Sequence, residues 1–360
     1  MKKRLSKKAN WFKENSFTDE DELYVGVDVH KEQYHVAIWH NGHIGCVYSM
    51  LSDNTKLLRD LQKIRSSLKN VVYEAGPTGY SLVRLLRSAS LPAEVVAASK
   101  TPRMTDSGAK TDRLDCQQLA EYAAKGLLSF VGVPTKQQEA DRQVVRLRDQ
   151  LMSKRKRVMQ QIKSFLLQHG IAWPGGGWSK TVLKQLRQLD IGTELRFSLD
   201  QYLDEYEFLS QKMTVTKAKL CQVFSSERHS AAIAVFKSHP GVGDITAWEF
   251  RAEMFNITRF SQPEQVSKYI GFCPRISQSG NTCRHGPITK TGRRELRAIL
   301  IQAAWAWHRK DPYARQIYNR LLRNTGNGKK AIVGLAKRIA IHLWRMLCDG
   351  CLYDIKVAKV

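Results

Sequence analysis

The sequence predicts an α/β domain followed by a helical region, and three observations carry that expectation. Short apolar runs with strand character alternate with amphipathic stretches from Leu23 to Ala124. Beyond Pro134 the apolar residues change to helical spacing over long runs. With 42% hydrophobic residues in a chain of 360, there is enough apolar material for a packed core in each of two or three modules.

In chain order, residues 1–21 are polar and Lys-rich without periodicity, and read as a flexible basic tail. Tyr24 to Val29 and Tyr34 to Trp39 read as strands, and after Asn41-Gly42, a strong hairpin signal, Ile44 to Tyr48 reads as a third. Leu57, Leu58, Leu61 and Ile64 recur at helical spacing, Val71 to Tyr73 is a short buried strand, Leu82 to Leu86 is helical, and Glu94 to Ala97 is strand again. A helix over Asp112 to Ala124 follows. Three antiparallel strands, then helix, strand, helix, strand and helix is the order of ribonuclease H-like nucleases, and a catalytic domain of that kind is expected over residues 22–138.

Residues 139–228 read as a long-helix, coiled-coil region. Val144, Leu151, Val158 and Phe165 are spaced by seven, and the Trp173 to Trp178 stretch, rich in Gly and Pro, must end that helix. Leu195, Leu199, Tyr202, Tyr206, Leu209, Met213, Thr216, Leu220 and Val223 then alternate steps of four and three, a seam for packing within or between protomers. Residues 229–360 read as a third module, almost wholly helical, with Trp305, Trp307 and Trp344 on amphipathic stretches that can enclose a core.

Against 33 acidic residues stand 58 Lys and Arg, a formal net charge of +25, which makes a polyanion the natural partner and nucleic acid the best fit. The basic start lacks the apolar core of a secretory signal and no long apolar run occurs, so the chain reads as cytoplasmic, nucleoid-associated and without a membrane partner. Seven scattered Cys argue for reduced thiols. Cys348 and Cys351, with Cys273, Cys283 and His285, lack the regular spacing of a zinc site.

Four carboxylates stand out. Asp28 sits inside the first strand, on the face opposite Val27 and Val29, where a carboxylate is costly unless paired or bound to metal. Glu74 ends the Val71 to Tyr73 strand, where it would project into the crevice at the strand ends. Asp112 and Asp115 share a helix face. Separately, Asp112 and Asp115 also suit a capping-box variant and Glu74 a loop acid. Together they lie on three elements that converge in a ribonuclease H-like fold, and such a cluster needs a divalent cation, Mg²⁺ or Mn²⁺, to relieve its repulsion.

The stretches Val25-Gly26-Val27-Asp28-Val29-His30-Lys31, Tyr73-Glu74-Ala75-Gly76-Pro77-Thr78-Gly79 and Lys110-Thr111-Asp112-Arg113-Leu114-Asp115 resemble, in order and spacing, the RuvC-like DEDD domain of transposases related to the Piv DNA invertase. These recombinases belong to insertion sequences that use a non-coding bridge RNA to pair target and donor DNA. The resemblance implies that Asp28, Glu74, Asp112 and Asp115 are the metal-binding tetrad.

His239-Pro240-Gly241-Val242-Gly243 has the form of a helix-hairpin-helix turn, in which Gly241 and Gly243 would let the backbone approach a phosphate. The succession Tyr269 to Pro274, Gln278-Ser279-Gly280 and Gly286 to Arg297 resembles the C-terminal transposase domain of the same family. That resemblance implies Ser279 as nucleophile, with Ser277 as the fallback, acting with the tetrad across two protomers. A serine hydroxyl needs activation, and no Asp or Glu occurs from Arg275 to Arg294. Arg275, Arg284, His285, Lys290 and Arg293 could hold a phosphate near the serine, and Lys154-Arg155-Lys156-Arg157 could grip RNA or DNA. The implied function is Mg²⁺-dependent cutting and exchange of DNA strands, guided by a bridge RNA, in a dimer or tetramer. Two other readings fit the residues: a ribonuclease H-like nuclease or Holliday-junction resolvase using metal-activated water, and a nucleic-acid-binding protein without catalysis. An RNA-independent DNA invertase is the variant that lacks the guide.

Overall fold

A computed structural model describes residues 7–15, 17–101, 112–279 and 282–354. The chain divides into two compact units, residues 1–133 and 134–360.

The first unit is built on a five-stranded mixed sheet. Its elements are α1 (Lys7–Glu14), β1 (Leu23–Val29), β2 (Gln33–His40), β3 (His43–Leu51), α2 (Asn54–Gln62), β4 (Leu68–Glu74), α3 (Ser81–Ser88), β5 (Ala93–Val96) and α4 (Asp112–Ala124). Strand order is β3-β2-β1-β4-β5, with β1, β2 and β3 antiparallel and β1, β4 and β5 parallel. The hairpin between β2 and β3 turns at Asn41 and Gly42, both at positive φ, the conformation an Asn-Gly pair adopts with little strain. Strand alternation divides the apolar residues between two layers. Val25, Val27, Val71, Tyr73 and Val95 face Leu57, Leu61, Val83 and Leu86 of α2 and α3. Ala37, Val72 and Val96 face Cys116, Leu119 and Ala120 of α4.

The expected flexible tail is corrected in part. Residues 7–14 form α1, and Trp11 and Phe12 of this helix, with Phe17, pack against the sheet core. Three aromatic rings bury enough apolar surface to hold a short basic helix in place.

The second unit begins with α5 (Lys136–Gln168), followed by α6 (Lys180–Arg187) and α7 (Thr193–Phe224). Next come α8 (Glu227–Lys237), α9 (Asp244–Met254), α10 (Pro263–Ile270), β6 (Pro274–Ser279), β7 (Thr282–Ile288), α11 (Arg294–Lys310), α12 (Pro312–Thr325) and α13 (Gly328–Asp349). A capping box at Thr135 and Gln138 starts α5. The apolar seam of α7 is covered by α5 of the same chain: Leu199, Leu203, Tyr206 and Leu209 bury against Val158, Ile162 and Leu166. No break occurs at the expected 228/229 boundary. Val145, Leu220 and Phe224 of the long helices share one core with Phe236, Phe250, Trp307 and Leu343. The C-terminal region is mostly helical as expected, and β6 and β7 add an antiparallel hairpin that the expectation did not include. Among the described residues no helix is long and apolar enough to cross a membrane.

Candidate active site

The first-unit site follows from strand register. Gly26 pairs with Val72 across the parallel β1–β4 ladder, and Val27 with Tyr73. Asp28 and Glu74 each lie two residues past the Gly26–Val72 pair, so both project from the same face, at the carboxyl ends of adjacent parallel strands. That is the face α4 covers, and the contact is close at Gly26. A Cβ there would sit 2.1 Å from the Cys116 carbonyl oxygen and 2.6 Å from the Ala120 nitrogen. Only a glycine lets the helix backbone come this near the strand. Asp115 adjoins Cys116, so the strand acids and the helix acids belong to directly packed elements.

A cleft of about 610 Å³ opens at the strand ends, lined by Asp28, His30, Lys31, Glu74 and Thr78. Asp28 is half-buried and its Oδ2 lies 2.9 Å from His30 Nε2. Glu74 is exposed, and Thr101 Oγ1 donates to its Oε1 at 3.1 Å. The loop after Glu74 is pinned from below. Tyr73 OH donates to the Gly79 carbonyl at 3.1 Å and accepts from Val83 N–H at 3.4 Å. Burial pushes the Tyr73 hydroxyl up to about 12, so it keeps its proton as that donor. His30, Lys31, Thr78 and Thr101 were not singled out by residue-level reasoning. Of these, His30 and Lys31 could have been found, because they lie two and three residues after Asp28 in the same motif stretch.

The side chain of Asp112 lies outside the described residues, as do those of Ser277, Ser279 and His285. Asp112 is the first residue of α4, and Asp115 is half-buried one turn later. Among the described residues no three His, Cys, Asp or Glu stand close enough to hold a metal ion, and the side chain of Cys283 lies outside those residues.

In the second unit, Ser277 and Ser279 lie on β6, opposite Arg284 and Thr282 of β7. Arg275, Arg284 and Lys290 are exposed on or beside this hairpin. Lys154 is exposed and Arg155 half-buried on α5.

Two expected nucleic-acid contacts are corrected. Gly241 is buried, and a Cβ on it would lie 2.5 Å from the Ala303 carbonyl oxygen; its missing side chain serves packing against α11, whereas Gly243 is exposed. Arg293 has only 17% of its side chain exposed, contacts Asp149, and lies 3.2 Å from Glu253. Its charge is engaged inside the fold.

Residues 25–171 match a family of DEDD transposases of the IS110 type, and residues 233–319 match the transposase family described as IS116/IS110/IS902. The chain is similar to y4qE, a transposase-named protein of Sinorhizobium fredii, with 30% identity over 297 residues, 80% of this chain and 73% of that one. It is similar to the transposase for insertion sequence element IS1533 of Leptospira borgpetersenii, at 25% over 79% of this chain and 84% of the relative. The transposase for IS1111A of Coxiella burnetii is 27% identical over 77% of each chain.

Proposed function

Because the chain belongs to the IS116/IS110/IS902 family of insertion-sequence transposases, we propose that it cuts and exchanges DNA strands at a divalent-metal site on Asp28, Glu74, Asp112 and Asp115, with Ser279 as nucleophile and a non-coding bridge RNA as guide. The observation that carries this reading is the placement of Asp28 and Glu74 at neighbouring strand ends on the face that α4, with Asp112 and Asp115, covers. The order of strands and helices supports a ribonuclease H-like, RuvC-like assignment of that unit.

The donor set suits Mg²⁺ or Mn²⁺, since all four groups offer hard carboxylate oxygens. When bound there, such an ion supplies Lewis-acid polarisation of a phosphate and lowers the pKa of an attacking hydroxyl. The chain's own residues do the rest. His30 orients the Asp28 carboxylate, and Thr101 orients that of Glu74. Ser279 Oγ attacks a DNA phosphorus: one Oγ–P bond forms, one P–O bond to deoxyribose breaks, and the serine proton ends on the freed sugar hydroxyl. Arg275, Arg284 and Lys290 bind the phosphate charge, and His285 lies on the same hairpin. The net charge of +25 and the exposed Lys154, Lys156 and Arg157 on α5 support contacts to RNA and DNA backbones. Exchange of two duplexes calls for a homo-oligomer, a dimer to tetramer, with donor and target DNA as partners.

The test uses protein expressed with its native flanking DNA and a labelled duplex carrying an element end. The parent should yield a denaturant-resistant protein–DNA adduct that Ser279→Ala abolishes and Ser277→Ala retains, and sequencing of copurified RNA should return one structured species. Cleavage that persists in Ser279→Ala, with no adduct from the parent, replaces the serine with metal-activated water. Absence of a structured RNA favours an RNA-independent invertase.

A further inference from the structure

Among the described residues, the strands of the β6–β7 hairpin are largely exposed away from its foot. Arg275, Ile276, Gln278, Arg284 and Gly286 along its strands are exposed, Ile276 by 61%. At the foot, by contrast, the backbone is bolted on both sides. Thr289 N–H donates to the Cys273 carbonyl at 2.8 Å and Lys290 N–H to that of Gly271 at 3.2 Å. A Cβ on Gly292 would lie 2.2 Å from the Tyr269 carbonyl oxygen, so the returning strand passes directly against the end of α10. Arg297 donates to the carbonyls of Ile270, at 3.1 Å, and Gly292.

Directly after Gly292 comes Arg293, whose guanidinium enters a largely buried ion cluster between α5, α9 and α11. It contacts Asp149 of α5, with Glu253 of α9 at 3.2 Å and Glu249 of α9 at 3.7 Å. Arg146 of α5 closes the cluster with a two-pronged pair to Glu253, at 2.8 and 2.9 Å. Asp149 and Glu253 are 6% and 4% exposed. Charges this deep persist only when paired, and removing one partner leaves the others uncompensated. The guanidinium fork reaches several carboxylates at once, which an ammonium would not do.

We propose that Arg293 is a positioning residue. Held by Asp149 and Glu253, it fixes the foot of the β6–β7 hairpin to the helical core and thereby sets where Ser277 and Ser279 stand. This rests on the reading that the hairpin carries the nucleophile. Leverage makes the anchor consequential. Ser279 is six residues beyond Cys273, about 20 Å of strand at ~3.3 Å per residue. A tilt of about 10° at the foot moves the serine by about 3.5 Å on that lever, whereas a misplacement of about 1 Å can cost a reaction ~100-fold.

The test reads hairpin position and chemistry separately. Bio-orthogonal nitroxide labels at Gln278 and at Arg320 on α12 report the hairpin–core distance by pulsed dipolar spectroscopy, leaving the native thiols untouched. Arg293→Gln should at least double the width of the distance distribution, Asp149→Asn should broaden it likewise, and Arg293→Lys should fall between. In the adduct assay, Arg293→Gln should lower the rate at least about 10-fold with affinity for a random-sequence duplex within about twofold, and Arg293→Lys should recover part of the rate. An unchanged distance distribution in folded Arg293→Gln or Asp149→Asn overturns the anchor. So does a loosened hairpin that reacts at the parental rate. If the parent itself forms no adduct while Arg293→Gln loosens the hairpin, the anchor stands and the serine reading is what fails.

Discussion

Replacing Gly26 by Ala tests the convergence of strand and helix at the tetrad most directly. The new Cβ would start 2.1 Å from the Cys116 carbonyl oxygen and 2.6 Å from the Ala120 nitrogen, both backbone atoms of α4. No side-chain rotation relieves such a clash, so helix and strand must separate by about 1 Å to regain the closest ordinary contact. Overpacking of this kind costs about 1–3 kcal/mol of stability. The larger consequence falls on the site, because α4 carries Asp112 and Asp115 while β1 carries Asp28. A cation such as Mg²⁺ tolerates little departure from oxygen distances of about 2.0–2.1 Å, so a 1 Å shift between two ligand-bearing elements should lower strand cleavage by about 100-fold. The assay is excision of the element from a plasmid bearing its native flanks, with a thermal melt and a duplex-binding measurement on the same samples. Gly45→Ala is the control. Its Cβ would meet side chains alone, the Trp11 ring at 3.1 Å and His40 Cβ at 3.4 Å, on a strand that carries none of the four acids, and activity should stay within about threefold of the parent. Gly26→Ala protein that is folded and excises at the Gly45→Ala rate would refute the reasoning, since the seat of α4 on β1 would then not control the site.

Three further outcomes follow from the structure. Tyr73→Phe removes the donor to Gly79 and the acceptor for Val83, and should cost about 1–2 kcal/mol in denaturant unfolding while lowering cleavage more than DNA binding; equal losses in both would argue against a role in setting the Glu74 loop. Glu249 has its carboxyl pushed up to about 8, mainly by burial and then by Asp149 and Glu253 against the opposing Arg293 and Arg148. The folded state therefore holds a proton that the unfolded chain has released, so stability falls as pH rises from about 4.5 to about 8 and is flat beyond. Glu249→Gln should remove this slope, with a stability gain over the parent that grows across that window toward a limit of about 5 kcal/mol, at ~1.4 kcal/mol per pH unit; a constant difference from pH 5 to 8.5 contradicts the burial of an ionisable group there. Chelation of divalent ions should abolish cleavage, restored by Mg²⁺ or Mn²⁺, and leave duplex binding intact, whereas cleavage that survives EDTA removes the carboxylates from metal chemistry.

Local sequence determined much of this protein. Period-two alternation in Val25, Val27, Val71 and Tyr73 sets which side of each strand is apolar, and therefore that Asp28 and Glu74 face the other way. Asn41-Gly42 fixes a hairpin, and the four-three spacing from Leu195 to Val223 fixes a helix with one apolar seam. Periodicity names a face without naming what covers it. That α5 of the same chain covers the α7 seam, or that three aromatic rings turn a basic start into a seated helix, depends on contacts between distant segments. The β6–β7 hairpin escaped the sequence because Pro274 to Ile288 has no clean alternation and draws its order from its own cross-strand pairing. The same limit governs charge. Arg293 and Arg284 look alike in a basic stretch, yet Arg284 is exposed and Arg293 enters a cluster of buried carboxylates supplied by α5, more than a hundred residues away, and by α9, about forty residues away. Gly241 and Gly26 likewise read as turn and strand residues until the backbone of a remote helix is found against them. The sequence set the four acids on their elements; only tertiary packing decided which strand ends stand side by side, which helix closes over them, and which cations remain free for a polyanion, because burial and pairing are settled by neighbours that are far apart in the chain.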